Sequence, residues 1–237
     1  MSRWTVRTTA FLACVTLLVT SGAWGQNKKQ MERLGDARAV LEAIMATPDK
    51  GIPQEVIDGA KCIAVVPHMI KGAFFFGGKH GRGVATCRTA HGWSAPAFIS
   101  VGGGSFGLQF GVQGIDLVMT VMNEQGMQRM LSNKFQVGGD AAAAAGPVGR
   151  HASAGTDWKA DSQILTYSRS KGLFAGISLT GAVVQKDDDS TRAIYGKKIP
   201  QRTILSGSVA SPAVAKSFMA AVASSSRQAK AAEEAKK

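Results

Sequence analysis

The sequence predicts an α+β fold in which helices flank a bent, mostly antiparallel, glycine-rich sheet. Between residues 71 and 114, short apolar runs are interrupted by single or paired glycines at positions where a helix would fail. Runs of this kind are typical of buried or half-buried strands. Segments with helical periodicity lie before and after them. A length of 237 residues with 45% hydrophobic side chains suits a single domain with a sizeable core, or one domain plus a helical hairpin.

The first 25 residues are interpreted as a signal peptide. Arg3 and Arg7 form a positive segment, residues 10–20 form a short apolar segment, and residues 23–25 (AWG) offer a small-x-small cleavage site. The apolar run is short for a bilayer span, which favours a cleaved signal over a membrane anchor. The predicted organisation is a signal peptide at 1–25, one folded domain at 26–226 and a charged, flexible tail at 227–237. Export would place the protein in the periplasm or at an envelope membrane surface.

Residues 27–47 have the pattern of an amphipathic helix, with apolar side chains at steps of three and four. Pro48 is predicted to end this helix. The polar face of the helix carries both positive and negative side chains and has no basic cluster, so packing on the domain is favoured over lying on a membrane. Pro53 is well placed in the first turn of a second, short helix.

Apolar runs and turn signals indicate the order of the strands. The run that begins at Lys61 is predicted to end at Pro67, and His91-Gly92 is predicted to form a tight turn. The alanine- and glycine-rich stretch 138–155 is either a tightly packed strand pair or a loop beneath the sheet. The predicted strands are 61–66, 84–88, 93–101, 116–122 as a central strand, and 164–167 with 173–184 as a hairpin.

Capping signals predict the remaining helices. Asn123 has N-cap chemistry ahead of a segment with helical spacing. Residues 187–190 (DDDS) are predicted to cap a short helix that ends near Gly196. Segments 200–205 and 212–224, which both begin with proline, are also predicted to be helical.

Positive charge is concentrated in two stretches that contain no carboxylate. The chain has 28 Lys and Arg against 16 Asp and Glu, for a formal net charge of +12. No Asp or Glu occurs at 59–115 or at 190–232, whereas protein surfaces normally intersperse both signs. This distribution predicts an anionic partner, and export argues against nucleic acid. The cations of the two stretches are Lys61, Lys71, Lys79, Arg82, Arg88, Arg192, Lys197, Lys198, Arg202, Lys216, Arg227 and Lys230.

Cleavage of the signal would leave Cys62 and Cys87 as the cysteines of the mature chain. An even pair in an oxidising compartment favours a disulfide over two buried thiols. Metal ligation by these cysteines and a histidine is a further alternative, but no CxxC or HxxxH spacing supports it.

Motifs that would indicate an enzyme are weak in this sequence. Gly102, Gly104 and Gly107 match GxGxxG, but the residues that follow alternate as a strand and do not open the helix that a dinucleotide site needs. Ser153 and His151 are the candidates for a hydrolase, yet the segment lacks the first glycine of a nucleophile elbow. The sequence therefore predicts no catalytic residues, no metal site and no cofactor.

Several blocks of the sequence, in the same order, resemble the SYLF lipid-binding domain family. The likeness extends from about residue 36 to residue 218, which is nearly all of the predicted mature chain. The blocks that carry it are 61–67 (KCIAVVP), 76–83 (FGGKHGRG), 92–96 (GWSAP), 103–109 (GGSFGLQ), 138–140 (GGD), 146–150 (GPVGR) and 168–176 (SRSKGLFAG).

The resemblance implies a non-enzymatic protein. Eukaryotic members of this family bind phosphoinositides, and yeast actin-patch regulators among them also bind actin. Bacterial members resemble this chain in being exported single-domain proteins, for which phospholipid binding is the expectation. The predicted signal peptide, in a sequence without an SH3 or zinc-finger segment, argues against actin binding and phosphoinositide specificity here.

The sequence thus predicts binding of anionic, phosphoinositide-like phospholipid headgroups at a membrane surface. Lys and Arg would hold phosphate oxygens by charge-assisted hydrogen bonds, with the backbone N–H groups of 77–83 close to a phosphate. The two acid-free stretches are expected to share one face of the protein. The alternative is a structural envelope protein that binds a protein partner or a polyanionic glycan. The candidate headgroup-binding residues are Lys71, Lys79, Arg82, Arg88, Lys197, Lys198 and Arg202, of which Lys79, Arg82, Lys197 and Lys198 are expected to form one patch.

Overall fold

The structure is a computed structural model that describes residues 21–47, 51–74, 76–106, 111–149, 162–170 and 173–234. Within these residues the chain forms a curled, mostly antiparallel sheet with helices on both faces. The predicted α+β class is therefore confirmed. Most of the predicted signal peptide, and the hydrolase candidates Ser153 and His151, lie outside the described residues.

The strands are β1 (Cys62–Phe74), β2 (Phe76–Thr89), β3 (Gly92–Trp93), β4 (Ala97–Phe106), β5 (Gly111–Val121), β6 (Lys134–Gln136), β7 (Ala143–Ala145), β8 (Ile164–Ser170), β9 (Leu173–Gly176) and β10 (Val183–Lys186). Across the described sheet their order is β6, β10, β4, β2, β1, β5, β8, β7, while β3 pairs with β2 and β9 with β8. Neighbouring strands are antiparallel except β7 and β8, which are parallel. The predicted central strand at 116–122 is confirmed, because β5 is paired on both sides.

The long strands β1, β2, β4 and β5 run between two ends of the sheet. At one end, called proximal here, Cys62 lies opposite both Cys87 and Val121. The other end, called distal, is formed by residues 71–74, 76–79, 103–106 and 111–113. Residues that are far apart in the chain are therefore grouped by the end at which their strand places them.

The middle of β1 contains a bulge at Pro67 and His68. The pairing of β1 with β2 and with β5 shifts by one residue there, and His68 has a φ of 50°. The prediction that the strand stops at Pro67 is wrong, because a bulge leaves a position that needs no ladder hydrogen bond and so accepts proline. The His68 N–H donates instead to Asp116 Oδ1 at 3.0 Å, and Arg169 Nη2 holds Asp116 Oδ2 at 2.6 Å.

The bulge also decides which side chains of β1 share a face. Strand side chains alternate between faces, so one extra residue reverses the alternation. Even-numbered side chains before the bulge, such as Val66, therefore share a face with odd-numbered ones after it, such as Met69. The face on which helix α1 (Ser21–Met45) packs, called the α1 face, carries Ile63, Val65, Val84, Phe98, Val118, Leu165 and Tyr167. The opposite face, called the α5 face after helix α5 (Gln201–Leu205), carries Cys62, Ala64, Val66, Met69, Ala85, Cys87, Ile99, Val101, Leu117 and Met119.

The helices are α1 (Ser21–Met45), α2 (Gln54–Gly59), α3 (Glu124–Met130), α4 (Asp188–Tyr195), α5 (Gln201–Leu205) and α6 (Lys216–Glu234), with a 3-10 turn at Ala213–Ala215. α1, α2 and α6 pack on the α1 face, whereas α3 and α5 pack on the other. α1 buries Leu34, Ala37, Val40, Leu41 and Ile44, so the prediction that this helix packs on the domain is confirmed. Among the described residues no helix combines the length and apolar character needed to cross a bilayer.

The predicted helix caps are present. The Asn123 side chain accepts the Gly126 N–H at 2.9 Å, and Asp187 Oδ1 accepts the Ser190 N–H at 3.1 Å. Gly196 ends α4 with a φ of 74°, a conformation that glycine adopts without steric cost. Local capping chemistry therefore fixes both helices much as the sequence indicates.

Other segments differ from prediction in their extent. In the stretch 138–155, the described part contains one short strand, β7, and is otherwise without regular structure. The predicted strand 173–184 is divided in two: β9 pairs with β8, whereas β10 pairs with β4 and β6. A turn separates them at Gly181, which has a φ of 81°, and the next residue donates its N–H to Leu179 O. The break lets one segment supply a strand to each end of the strand order: β9 pairs with β8, and β10 lies between β6 and β4.

A disulfide joins Cys62 of β1 to Cys87 of β2, as predicted. The two residues are direct partners across the strands, and both are fully buried. The bond therefore ties the two longest strands together at the proximal end.

Candidate functional site

Two of the candidate cations, Lys71 and Lys79, lie side by side at the distal end. Lys71 of β1 is the direct register partner of Lys79 of β2. Directly opposite residues on an antiparallel pair have Cβ atoms about 5 Å apart and point to the same face. Like charges in such a pair repel each other, so this arrangement is not explained by the stability of the sheet.

The positions around this lysine pair carry small or uncharged side chains. Gly103 of β4 is the partner of Lys79 on its other side, and Gln113 of β5 is the partner of Lys71. One step further along the strands, Gly72 lies opposite Gly78, where an added Cβ would meet no atom within 4 Å. On the face of the pair itself, a Cβ at Gly103 would lie 3.0 Å from Gly181 O, so the turn before β10 borders the pair on the β4 side.

The environment of Lys79 disfavours its charged form. Partial burial lowers the pKa of Lys79 below its ordinary value, and the neighbouring positive charge of Lys71 lowers it further. A bound anion would have the opposite effect, since it would stabilise both ammonium groups. The lysine pair is thus a site where a negatively charged ligand would relieve repulsion.

The glycines between Lys79 and the strand centre have a packing role. A Cβ on Gly81 would lie 2.6 Å from Val66 Cγ1, and a Cβ on Gly83 would lie 2.7 Å from Val66 Cγ2. These glycines make room for the side chains that the β1 bulge directs onto the α5 face. β2 is paired with β1 and with β4 along this stretch, so its backbone belongs to the sheet and not to an open phosphate-binding loop.

Arg82 lies on the other face of the sheet from Lys79. The two are three residues apart in a regularly paired strand, so their side chains point in opposite directions. Arg82 instead lines a groove of about 300 Å³ between α1 and the bulge. The groove mixes both signs of charge, and in it Asp36 Oδ2 lies 3.7 Å from His68 Nδ1. The charged or titratable side chains lining it are Lys29, Glu32, Arg33, Asp36, His68, His80 and Arg82.

Arg88 is committed to the structure of the proximal end. Its guanidinium donates to the carbonyl oxygens of Ala60, Ile57 and Asp58 at the end of α2, at 2.8, 3.2 and 3.0 Å. It also stacks on the Trp93 ring, with 4.6 Å between the guanidinium carbon and the ring centroid. These contacts cap α2 and leave Arg88 no freedom to follow a ligand.

Lys197, Lys198 and Arg202 belong to the proximal end and not to the lysine pair. The Tyr195 hydroxyl, two residues before Lys197, donates to Pro96 O at 2.7 Å, next to the start of β4. Arg202 Nη1 donates to Gln128 Oε1 on α3 at 3.2 Å. The row of Lys79 is six residues along β2 from this end, or about 20 Å. The structure therefore does not bring the two acid-free stretches into one patch.

A buried ion pair that the sequence analysis did not identify organises the α1 face. Arg33 Nη1 of α1 lies 3.1 Å from Asp187 Oδ2 at the start of α4, with the two side chains 10% and 9% exposed. Burial alone would raise the pKa of Asp187, but hydrogen bonds from Ser190 and the charge of Arg33 outweigh it and hold the pKa below its ordinary value. The partners are 154 residues apart, so no local sequence signal could have paired them.

The structure gives no support to the enzyme motifs in the part that it describes. Gly102 and Gly104 lie within β4 and not in a turn that opens a helix. No group of three or more His, Cys, Asp or Glu among the described residues could hold a metal ion.

The fold and the site define an α+β domain whose sheet presents a lysine pair at one end. Comparison with known proteins identifies the family to which this domain belongs. The family described as "Ysc84: Las17-binding protein actin regulator" matches residues 102–225, just over half of the chain. The chain therefore belongs to the Ysc84 family, and the predicted resemblance to SYLF domains is confirmed at the level of the family.

Curated relatives of this chain occur in yeasts and mammals. The SH3 domain-containing protein PJ696.02 of Schizosaccharomyces pombe is 36% identical over 168 residues, which are 69% of this chain and 39% of that protein. Protein YSC84 of Saccharomyces cerevisiae is 34% identical over 171 residues, 70% of this chain and 36% of that protein. Human SH3 domain-containing YSC84-like protein 1 is 32% identical over 170 residues, which are 71% of this chain and 49% of that protein. The chain thus spans half or less of the length of these relatives.

Proposed function

We propose that this protein binds the phosphate-bearing headgroups of anionic phospholipids at a membrane surface, without catalysing a reaction. The observation that supports this function best is the lysine pair, Lys71 opposite Lys79, at the distal end of the sheet. No carboxylate occurs in residues 59–115 to neutralise the pair locally. Asp116, the acid that follows this stretch on β5, points to the other face and is bonded to Arg169.

The energetic argument concerns the repulsion between the two ammonium groups. Like charges directly opposite each other destabilise a strand pair. A phosphate between them accepts charge-assisted hydrogen bonds from both and removes the repulsion. Binding therefore gains from contacts with the anion and from relief of a strain that is present in the free protein.

The test is co-sedimentation of the protein with vesicles of graded phosphatidylserine content. Each lysine near an anionic membrane contributes about 1 kcal/mol, so the variant Lys71→Gln/Lys79→Gln should bind about 30-fold more weakly. Binding by the unaltered protein should fall as salt rises, because the Debye length is about 8 Å at physiological ionic strength. Neutral phosphatidylcholine vesicles should not bind it.

The matched control is Lys197→Gln/Lys198→Gln, which removes the same charge from the proximal end. This variant should keep most of the affinity if the distal pair forms the site. Equal losses in both variants would show that net charge, and not the lysine pair, governs binding. Neither variant should lower the melting temperature, and loss of the Lys71–Lys79 repulsion should leave stability unchanged or slightly higher.

We also propose that the protein acts outside the cytoplasm, at the periplasmic or envelope surface. The support is the signal-like segment that precedes the domain, with its cleavage site after Gly25. Mass spectrometry of protein from the envelope fraction of its source cells should find an N-terminus at Gln26. An intact Met1 in that fraction would contradict the proposal.

A protein partner is the second candidate function. It is favoured by the family description, which names Las17 binding and actin regulation for the relatives. A partner that recognises the domain without lipid would bind equally well when vesicles are absent and when the lysine pair is neutralised. Vesicle binding by the purified chain alone separates the two functions.

A further inference from the structure

We infer that the groove between α1 and the β1 bulge binds a small zwitterion of the aminoalkyl phosphate class, which carries a phosphate and an ammonium group. The basis of this inference is the separation of opposite charges along the groove, with two arginines at one end and a carboxylate at the other. The groove lies on the α1 face, whereas Lys71 and Lys79 lie on the α5 face. The inference therefore goes beyond the proposed function and does not depend on it.

Arg33 and Arg82 form the positive end of the groove. Arg33 Cζ lies 5.6 Å from the centroid of the Phe98 ring on β4. Arg82 of β2 lies opposite Ser100, two residues further along β4 and on the same face. Burial lowers the pKa of Arg33, the charge of Asp187 opposes this effect, and the charge of Arg82 lowers the pKa further. The two guanidinium groups are therefore close enough to repel each other.

The hydrogen-bond donors of these two arginines are only partly used. In the described part of the chain, the side-chain hydrogen bonds of Arg33 both come from Nη1, to Asp187 and Ser190, although the side chain is only 10% exposed. Arg82 is exposed and has no hydrogen bond or ion pair among the described residues. Lys29 adds a further cation to the lining. An oxyanion would accept charge-assisted hydrogen bonds from both guanidinium groups and remove their repulsion.

The carboxylate of Asp36 forms the opposite end, at the β1 bulge. Asp36 Oδ2 lies 3.7 Å from His68 Nδ1, which is longer than a hydrogen bond, and the two side chains are 46% and 76% exposed. His68 has a φ of 50°, a conformation that costs energy for a residue other than glycine and that is found most often at functional sites. Glu32, one turn earlier on α1, supplies a second carboxylate to the lining. These carboxylates can accept hydrogen bonds from an ammonium group.

The size of the groove and the distance between its ends suit a short zwitterion. His68 lies on β1 and Arg82 on the neighbouring β2, and neighbouring strands are about 4.8 Å apart. The two-carbon link of an aminoethyl phosphate covers a distance of this size. A volume of about 300 Å³ is at the lower end of the range for small-molecule sites. Because Asp36 repels an anion and the arginines repel a cation, the lining favours a ligand that carries both charges.

The test is an NMR titration of the full chain with O-phosphoethanolamine at constant pH, followed through the histidine imidazole signals. His68 and His80 line the groove, whereas His91 lies in the turn between β2 and β3. The signals of His68 and His80 should shift and reach saturation, while that of His91 should not shift. Ethyl phosphate, which lacks the ammonium group, and ethanolamine, which lacks the phosphate, should each bind at least about tenfold more weakly.

Two variants separate the ends of the groove. Arg82→Gln should weaken the binding of O-phosphoethanolamine by about tenfold. Asp36→Asn should weaken it by a similar factor but should not weaken the binding of ethyl phosphate, because it removes only the partner of the ammonium group. The control is Arg38→Gln/Glu42→Gln, which removes an arginine and a carboxylate that pair at 2.8 Å elsewhere on α1. This control should bind O-phosphoethanolamine as the unaltered chain does.

Three outcomes would overturn the inference: no shift of the His68 and His80 signals, ethyl phosphate binding as tightly as O-phosphoethanolamine, or a loss in the control equal to that in Arg82→Gln. Competition with phosphatidylethanolamine vesicles identifies the source of the ligand. Vesicles that displace O-phosphoethanolamine would assign the groove to a lipid headgroup, and a lack of displacement would assign it to a soluble ligand. Both of these results support the site. Binding to phosphatidylserine vesicles tests the lysine pair separately, so either proposal can fail without the other.

Discussion

The role of Gly83 gives a quantitative test of the β1 bulge and of the strand register. A Cβ at this position would lie 2.7 Å from Val66 Cγ2 and 2.9 Å from Val66 Cα, and it would also meet the carbonyl oxygen of Val65. Two of these three atoms belong to the backbone of the adjacent strand. The clash therefore cannot be relieved by rotating a side chain, and β1 must move away from β2.

The perturbation is Gly83→Ala, and its matched control is Gly78→Ala in the same strand. Overpacking a core costs about 1–3 kcal/mol, and a clash with backbone should reach the upper end of that range. At Gly78 an added Cβ meets nothing within 4 Å, so alanine should be neutral or stabilise by up to about 1 kcal/mol through the unfolded state. The expected difference between the two variants is thus about 3–4 kcal/mol.

Urea unfolding followed by circular dichroism measures this difference directly. For a domain of this size, a loss of about 3 kcal/mol corresponds to a melting temperature about 6–12 °C lower. The disulfide should stay oxidised in both variants, so that only packing differs. If Gly83→Ala unfolds within about 0.5 kcal/mol of Gly78→Ala, which is the range of ordinary surface substitutions, the register and the bulge described here are wrong.

Three further predictions concern the disulfide and the buried ion pair. The Cys62–Cys87 disulfide closes a loop with a sequence separation of 25, so reducing it should destabilise the fold by about 3 kcal/mol. Thiol titration of the unreduced, denatured Cys14→Ser protein checks the bond, and recovery of two free thiols would contradict it. Arg33→Met should cost about 3–5 kcal/mol in urea unfolding, because it leaves the buried carboxylate of Asp187 without its cation. The control Arg38→Met, in the same helix but with its side chain 47% exposed, should cost far less than Arg33→Met, and equal losses would refute a special role for the buried pair. Because the folded-state pKa of Asp187 lies below its ordinary value of 3.8, its ionisation stabilises the fold above about pH 4, and this stability is lost as the pH falls through the folded pKa. Asp187→Asn should therefore show a weaker loss of stability between pH 5 and pH 3 than the unaltered protein, and an identical pH profile would exclude Asp187 as a contributor.

Local features of the sequence determined much of the fold. The spacing of apolar residues located α1 and its buried face, and the caps at Asn123 and Asp187 located α3 and α4. Glycine-interrupted apolar runs located the long strands. These signals could be recognised because each depends on residues within one or two turns of helix, or on the alternation along one strand. The disulfide could be predicted because the proposed mature chain, without Cys14, offers one pair of cysteines.

The arrangement of the candidate site was decided by tertiary structure. The sequence predicted one patch of Lys79, Arg82, Lys197 and Lys198. In the structure, strand alternation places Lys79 and Arg82 on opposite faces of the sheet, and about 20 Å of strand separates the row of Lys79 from the end near Lys197 and Lys198. The match of Lys71 to Lys79 depends on the bulge at Pro67, which shifts the register of β1 by one residue. Register and bulges are set by packing between distant strands, as where Gly81 and Gly83 make room for Val66. The sequence alone therefore determined that the chain carries an excess of cations over carboxylates, and only the paired strands decided which of those cations meet.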